Sequence, residues 1–215
     1  MTWHPLLRRQ LADDLLAVRY DSPTLCEGWQ ARHLAAHVVL RESSLVVAAG
    51  IVVPALAAHT EAAIEELAQE AGTDETYRAL VERVAAGAPR WSPVALGGDA
   101  ANLVELFVHA EDVRRGAGPV PPRELEPGLA DALWSQLLRT AGMRLRGVPV
   151  GVVLVRDDGA RRRTHKPSEP NGTVVVRGAV PELVLWANGR GAAADVRLEG
   201  DAVDLEILSE RLPVA

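Results

Sequence analysis

Two ionisable side chains in the segment NLVELFVHAEDVRR, Glu105 and His109, stand four residues apart among apolar residues. On a helix this spacing places both on one face with Cβ atoms about 5–6 Å apart, so that both can reach one divalent ion. A glutamate and a histidine at this spacing also form a modest surface pair, so the pattern alone leaves both interpretations open. The same polar stripe includes Asn102 and Asp112, and it runs beside an apolar stripe made by Leu103, Leu106, Phe107, Ala110 and Val113.

A second segment, LCEGWQARHLAAHVVLRE, carries His33 and His37, again four residues apart in a helical pattern. If His37 meets Glu105 and His109, the three form the two-histidine, one-carboxylate set of a catalytic zinc site with an open position. Helical bundles build such sites from inward-facing side chains on neighbouring helices. Either histidine of this segment can instead be hydrogen-bonded and structural, and His33 can lie at the surface.

Helices are the elements that must position these residues. Up to about residue 147 apolar residues recur every three or four positions, which predicts a helical bundle. Proline and glycine interrupt the pattern at four places, where helices are expected to stop. These breaks lie at Asp21–Gly28, Ile51–Pro54, Gly87–Gly98 and Gly116–Pro127, and a further helical pattern, ELEPGLADALWSQLLRTAGMRLRG, follows the last of them.

After Gly147 the pattern changes to short β-rich runs. VPVGVVLVRDDGARRRTH predicts two strands around an Asp-Asp-Gly turn, and GTVVVRG and ADVRLEG predict two more. PELVLWANG and DAVDLEILSERL predict a short helix and a final helix. The sequence therefore predicts a mainly α protein, with a helical bundle over residues 1–146 that holds the metal site and a small α+β domain over residues 147–215.

Composition limits the classes of function. The chain has 215 residues, 48% of them hydrophobic and 24% charged, which is ordinary for a globular protein. The net charge of −6 argues against a general nucleic-acid binder, since these concentrate positive charge. The N-terminal residues carry charges where a signal peptide has its apolar region, and no apolar run is long enough to span a membrane. Together with the single cysteine, Cys26, these features predict a cytoplasmic protein.

Three segments together resemble the mycothiol-dependent maleylpyruvate isomerase family of actinobacteria. They are PTLCEGWQARHLAAHVVLRE, NLVELFVHAEDVRRG and LVLWANGRGAAADVRLEGD, and they extend the resemblance over most of the chain. The resemblance implies a DinB-like four-helix bundle in the N-terminal part and metal ligands at His37, Glu105 and His109. Members of that family commonly carry aspartate where this chain has His33, a change that would add a ligand, alter the surroundings of the ligands, or have no effect.

The resemblance also implies zinc or another divalent metal as cofactor, mycothiol as thiol cosubstrate and an electrophilic small molecule as substrate. Zinc would deprotonate the thiol, and the thiolate would add to a conjugated cis double bond, permit rotation and leave again. Asp112 and Asn102 are candidates to orient a ligand, although Asp112 also has the spacing for a surface pair with Arg115. An anionic substrate would need a cation, for which Arg190 and Arg114 are candidates.

Three functions therefore stay open: a zinc-dependent, mycothiol-using isomerase or transferase; a metal-dependent hydrolase that uses bound water; and a non-catalytic metal or small-ligand binding protein. The chain is expected to be a monomer or a homodimer with no nucleic-acid or membrane partner. Cys26 is interpreted as a small buried hydrophobic residue. Trp29 is interpreted as a packing residue at the start of a helix. The basic run at residues 161–166 is interpreted as a solvated face that could contact an anion.

Overall fold

The computed structural model describes residues 2–50 and 53–214. The chain divides into two compact units, Met1–Gly118 and Pro119–Ala215. The described part of the N-terminal unit is helical, with one short 3₁₀ turn at Pro54–Leu56. Its helices are α1 (His4–Leu16), α2 (Ala31–Ser43), α3 (Leu45–Gly50), α4 (Ala57–Glu70), α5 (Asp74–Ala86) and α6 (Pro93–Arg114).

The core of the N-terminal unit forms where α1 and α2 pack against α5 and α6. On α1 the residues Leu7, Leu11 and Leu15 recur every four positions, and none is exposed to solvent. This is the narrow apolar stripe by which an amphipathic helix packs on a core. Most residues of α2 are buried, because that helix lies against α4, α5 and α6 at once. The burial of α2 is what places His37 inside the bundle.

A kink at Gly98 interrupts α6 near its start, with φ 49° and ψ −134°. Positive φ is strained for residues that carry a Cβ atom, so glycine suits this position. The side-chain amide of Asn102 donates to the carbonyl oxygens of Val94, at 2.8 Å, and of Gly98, at 2.9 Å. These bonds satisfy acceptors beside the kink that would otherwise lack partners. The helix is regular from there to Arg114 and carries Glu105 and His109 on consecutive turns.

The C-terminal unit packs helices against a small sheet. The elements are α7 (Pro127–Arg144), β1 (Gly151–Arg156), β2 (Arg161–His165), β3 (Thr173–Gly178), α8 (Val180–Leu185), β4 (Arg197–Glu199) and α9 (Ala202–Arg211). The sheet has the order β2-β1-β3-β4 among the described residues; β1 pairs antiparallel with β2 and parallel with β3, and β3 pairs antiparallel with β4. One sheet face is fully buried at Val152, Leu154, Val174 and Val176.

The predicted fold class is confirmed: the protein is mainly α, with a small α+β part at the C-terminus. The two compact units meet at Gly118/Pro119, whereas the sequence places a domain boundary after residue 146. The difference concerns α7, which contacts α8 and β2 and so shares the core of the C-terminal unit. No helix in the described ranges is long and apolar enough to cross a bilayer.

Three of the predicted helix breaks can be compared with the described elements. Asp21–Gly28 lies between helices, as predicted, and Gly116–Pro127 lies between α6 and α7 except for Pro127, which begins α7. Within Gly87–Gly98, α6 begins at Pro93, because Ser92 accepts from the backbone N–H of Val94 and proline suits the first helical turn. In the predicted break at Ile51–Pro54, residues 51 and 52 lie outside the described residues.

Candidate metal centre

His37 on α2 and the pair Glu105 and His109 on α6 converge at one point of the bundle. Oε1 of Glu105 lies 3.2 Å from Nε2 of His37 and 3.2 Å from Nε2 of His109. The candidate ligand atoms of the three residues all lie within 4.8 Å of one another. The two imidazole rings are themselves in edge-on contact, with centroids 5.1 Å apart. The structure thus brings together the three residues that spacing suggested as ligands.

The separations fit a tetrahedral metal ion. Two nitrogen or oxygen ligands about 2.1 Å from a zinc ion at the tetrahedral angle lie roughly 3.4 Å apart. The two Glu105–histidine distances of 3.2 Å are close to this value. The side chain of Glu105 is 31% exposed, whereas those of His37 and His109 are 10% exposed. Small molecules can therefore approach the cluster from the side of Glu105.

Burial and charge together determine the protonation of the three residues. Burial lowers the pKa of His37, which favours the neutral imidazole that a metal requires. Burial also opposes ionisation of Glu105, but the charge and hydrogen bond of His109 outweigh it and hold the pKa of Glu105 well below its usual range. Burial also disfavours the charged form of His109 and by itself would lower its pKa. The charge of Glu105 and the hydrogen bond with Asp112 outweigh this effect and raise the pKa of His109 well above the ordinary value.

Asp112 lies on the far side of the His109 ring from Glu105. Its Oδ2 is 2.9 Å from Nδ1 of His109, and its side chain is completely buried. The alternative surface position for Asp112 is therefore wrong, and Arg115 is also buried and donates to Glu111 at 2.7 Å. A carboxylate that accepts from one ring nitrogen fixes the tautomer and leaves the other nitrogen free to ligate.

Cys26 contacts the carboxylate of Asp112. No pattern in the sequence predicted this contact. Its Sγ lies 3.2 Å from Oδ2 of Asp112, and the backbone N–H of Leu25 donates to the Asp112 carbonyl oxygen at 3.0 Å. Candidate ligand atoms of Cys26, His109 and Asp112 form a second group within 4.8 Å of one another. The loop before α2 therefore contributes to the surroundings of His109, because it folds back onto α6.

Arg41, one turn beyond His37 on α2, completes the polar surroundings of Glu105. Its Nε lies 3.2 Å from Oε1 of Glu105, and its terminal nitrogens donate to Oδ1 of Asn102 at 3.2 Å and to the Ala101 carbonyl oxygen at 2.7 Å. Asn102 thus acts on the cluster through Arg41 rather than by direct contact. Spacing could have identified Arg41, since it follows His37 by four residues on the same face.

Trp29 packs against His37, with ring centroids 5.2 Å apart. Among the described residues, Nδ1 of His37 is buried and has no hydrogen-bond partner. The orientation of this imidazole is therefore set by packing against Trp29 and by the contact of its Nε2 with Glu105. An imidazole so held, with its Nε2 directed at a carboxylate and a second imidazole, suits a ligand position.

His33 points away from the cluster, toward α4. Its Nδ1 accepts from the backbone N–H of Gln30 at 3.2 Å, and its Nε2 lies 3.2 Å from Oε2 of Glu65. The first of these bonds is half of a capping box at the start of α2. With both ring nitrogens engaged in this way, His33 is not placed as a fourth ligand.

The two arginines considered for an anionic substrate have other contacts. Arg114 makes a two-point ion pair with the buried Glu111, at 3.0 and 2.7 Å. Arg190 belongs to the C-terminal unit, where it is the last residue of the π-helical turn after α8 and donates to the carbonyl oxygen of Asn188 at 2.8 Å. Neither contact tests a role in substrate binding, so the assignment of Arg190 stays a prediction.

Comparison with known proteins identifies the fold. Two solved structures of the mycothiol-dependent maleylpyruvate isomerase are similar to this chain, one of them a histidine-to-alanine variant. The variant has a TM-score of 0.55 at 16% sequence identity, and the other structure 0.52 at 17%; each comparison covers 91% of this chain and 90% of the other. No family model matches the chain, and no curated protein matches it.

At these identities the likeness establishes the fold alone. It confirms the structural part of the resemblance that the sequence motifs indicated, over nearly the whole chain. The particular metal, the thiol and the reaction have to be argued from the residues of the site and their chemistry, because one fold hosts many functions.

Proposed function

We propose that this protein is a zinc-dependent enzyme that activates a low-molecular-weight thiol, mycothiol, for addition to an electrophilic small molecule, as an isomerase or a thiol transferase. The observation that carries the proposal is the convergence of two imidazoles and one carboxylate in a partly open cluster. They belong to His37, His109 and Glu105. The fold supports it, because the similar solved structures are those of a mycothiol-dependent isomerase.

A zinc ion held by these three residues would lower the pKa of a thiol at its open position, so that the thiolate predominates at neutral pH. Attack of a thiolate on a conjugated cis double bond forms a C–S bond and moves an electron pair onto the conjugated carbonyl. Rotation about the new single bond and expulsion of the thiolate return that pair and give the trans isomer. If the thiolate is retained and a proton is added, the product is a thioether.

The chain itself orients the ligands in this proposal. Asp112 accepts from Nδ1–H of His109 and so directs the Nε2 lone pair at the centre, which is the positioning role we assign to it. Arg41 restrains the Glu105 carboxylate, and Trp29 restrains the ring of His37. We assign binding of an anionic substrate group to Arg190, whose planar guanidinium suits a carboxylate.

Elemental analysis tests the metal. Protein purified without a histidine tag should carry about one zinc per chain. The His109→Ala variant should lose it, because two ligands hold zinc far more weakly than three. His59→Ala is the matched control, since His59 is exposed on α4 and outside the cluster. Equal metal content in all three proteins, or none after incubation with zinc, would refute the site.

Thiol dependence then tests the reaction. The zinc-loaded protein should isomerise or consume a conjugated electrophile with mycothiol present and lose that activity when the thiol is omitted. Unchanged activity without any thiol would favour the hydrolase, in which bound water, with a pKa of about 7 on zinc, is the nucleophile. Metal binding without turnover in either condition would favour a binding protein.

A further inference from the structure

A cationic cavity of about 670 Å³ lies on the C-terminal sheet. Its lining is basic apart from two valines: Arg161, Arg162, Arg163, Lys166, Val153 and Val175. Small-molecule sites usually measure about 300–1,000 Å³, so this one has the size for a ligand rather than for a single ion. The basic run that the sequence showed at residues 161–166 thus surrounds a concave surface.

Sheet register explains why the charges converge. Arg163 on β2 pairs with Val153 on β1, and Val153 pairs with Val175 on β3. Since side chains alternate between the faces of a strand, these three lie on one face, opposite the fully buried valines and leucine. Arg161, two residues from Arg163, lies on the same face, and Lys166 directly follows β2. The valines therefore form the floor of the cavity, and Arg161, Arg163 and Lys166 form a wall beside it. Arg162 pairs with Leu154 and so alternates to the opposite face, although it also lines the cavity.

The described residues do not balance the positive charges that line this cavity. In the described part of the chain, Arg161, Arg162, Arg163 and Lys166 have no ion-pair partner. At the other edge of the sheet, by contrast, Glu199 lies 3.6 Å from Nε of Arg177 and 3.3 Å from that of Arg197. A chain with a net charge of −6 thus gathers four unpaired cations around one cavity.

We propose that this cavity binds a small organic anion carrying two or more negative charges, a polycarboxylate or a phosphate ester. Guanidinium groups hold carboxylate and phosphate oxygens by paired hydrogen bonds, and Lys166 adds a point charge. Val153 and Val175 accept the apolar part of the ligand. The site lies outside the metal cluster and does not depend on the proposed reaction.

Protection of the sheet edge does not account for these features. β2 is an edge strand, and basic side chains on an edge discourage pairing with other chains. That function requires charge along the strand but neither a cavity nor a lysine beyond the strand's end. A long nucleic acid is disfavoured because the rest of this acidic chain would repel its backbone.

Calorimetric titration with citrate and with pyrophosphate tests the inference on the full chain, at about 0.15 M salt, where long-range attraction is largely screened. The wild type should bind at least one of the two with a submillimolar dissociation constant. Arg161→Gln/Arg163→Gln should weaken binding by about tenfold or more, because two charged hydrogen-bonding groups are lost. The control is Arg83→Gln/Arg90→Gln, which replaces two exposed arginines of the N-terminal unit and removes the same charge. This variant should bind the anions like the wild type.

Circular dichroism confirms that each variant is folded before titration. Absence of binding by the wild type, or equal weakening in both double variants, would overturn the proposal. Binding of heparin or RNA together with a failure to bind either small anion would overturn it as well, since the surface would then be one for polymeric anions.

Discussion

His109 stands between two carboxylates. Glu105 approaches its Nε2, whereas Asp112 approaches its Nδ1 and is fully buried. Burial makes the second contact strong, because little water competes for the acceptor. The metal affinity of the cluster should therefore depend on a residue that does not contact the metal.

Asp112→Asn tests this dependence. The amide keeps the size of the side chain but loses the charge, so we expect the zinc affinity to fall about 10–100-fold, as is typical when the partner of a ligand is changed. Competition with a chromophoric chelator measures the affinity. Asn102→Ala, whose side chain reaches Glu105 only through Arg41, should have a smaller effect. An unchanged affinity in Asp112→Asn would contradict the assigned role of Asp112.

The two histidines of α2 should behave in opposite ways. His33→Ala should retain zinc, since both ring nitrogens face Gln30 and Glu65, and should lose some helix stability with the capping box. His37→Ala should lose zinc and keep the capping box. Metal content and thermal unfolding of the two variants, measured side by side, check the prediction; zinc loss in His33→Ala would restore that residue as a ligand.

At the scale of residues, spacing could predict contacts within a helix but not between a loop and a helix. Glu105 and His109 follow from a four-residue interval, and the meeting of His37 with them required only that both helices face one core. Arg41 follows from the same interval. Cys26 lies 86 residues from Asp112, and no periodic pattern relates them. The roles proposed for all these residues stay predictions.

At the scale of elements, the kink of α6 links that helix to the start of α1. Asp99, directly after Gly98, accepts from the backbone N–H groups of Trp3 and His4, at 3.0 and 2.8 Å. The first N–H groups of a helix have no partners within the helix, so a carboxylate there stabilises it. Here the capping residue lies 95 positions away from His4. Sequence reasoning looks for caps next to the helix and therefore misses it.

Asp99→Ala should lower the free energy of unfolding by about 1–2 kcal/mol at neutral pH, the usual effect of removing a cap. Burial opposes ionisation of Asp99, but hydrogen bonds from His4 and Trp3 outweigh it and lower the pKa of this carboxyl. A folded-state pKa below the unfolded value of about 3.9 means that stability is present above that pH and lost as the pH falls further.

Urea unfolding at several pH values measures this effect. The difference between wild type and Asp99→Ala should shrink as the pH falls below about 4. Asp99→Asn, which keeps one acceptor oxygen, should lose less stability than the alanine variant. A difference that grew as the pH fell below about 4 would contradict the sign derived from the hydrogen bonds.

At the scale of the whole molecule, periodicity predicted the class of fold. The domain boundary that it places after residue 146 stays a prediction, while the compact units divide at Gly118 and Pro119. The apolar residues of α7 recur at the same spacing as those of the bundle helices. This pattern predicts that one face of α7 is buried but does not indicate which element covers that face. In the structure its buried residues, Leu133 and Leu137 among them, belong to a helix that contacts α8 and β2. The partner of a helix is a tertiary property, which one-dimensional spacing does not encode.

Two fragments distinguish the predicted boundary from the structural one. A fragment of residues 1–118 contains every member of the metal cluster and the helices that hold them. It should unfold cooperatively and carry zinc in the same ratio as the full chain. A fragment of residues 1–146 adds α7 without the strands and α8 that cover its apolar face, so it should bind more of a hydrophobic dye and aggregate more readily. If the longer fragment were instead the better folded and the only one to hold zinc, α7 would belong to the bundle, as the sequence predicts.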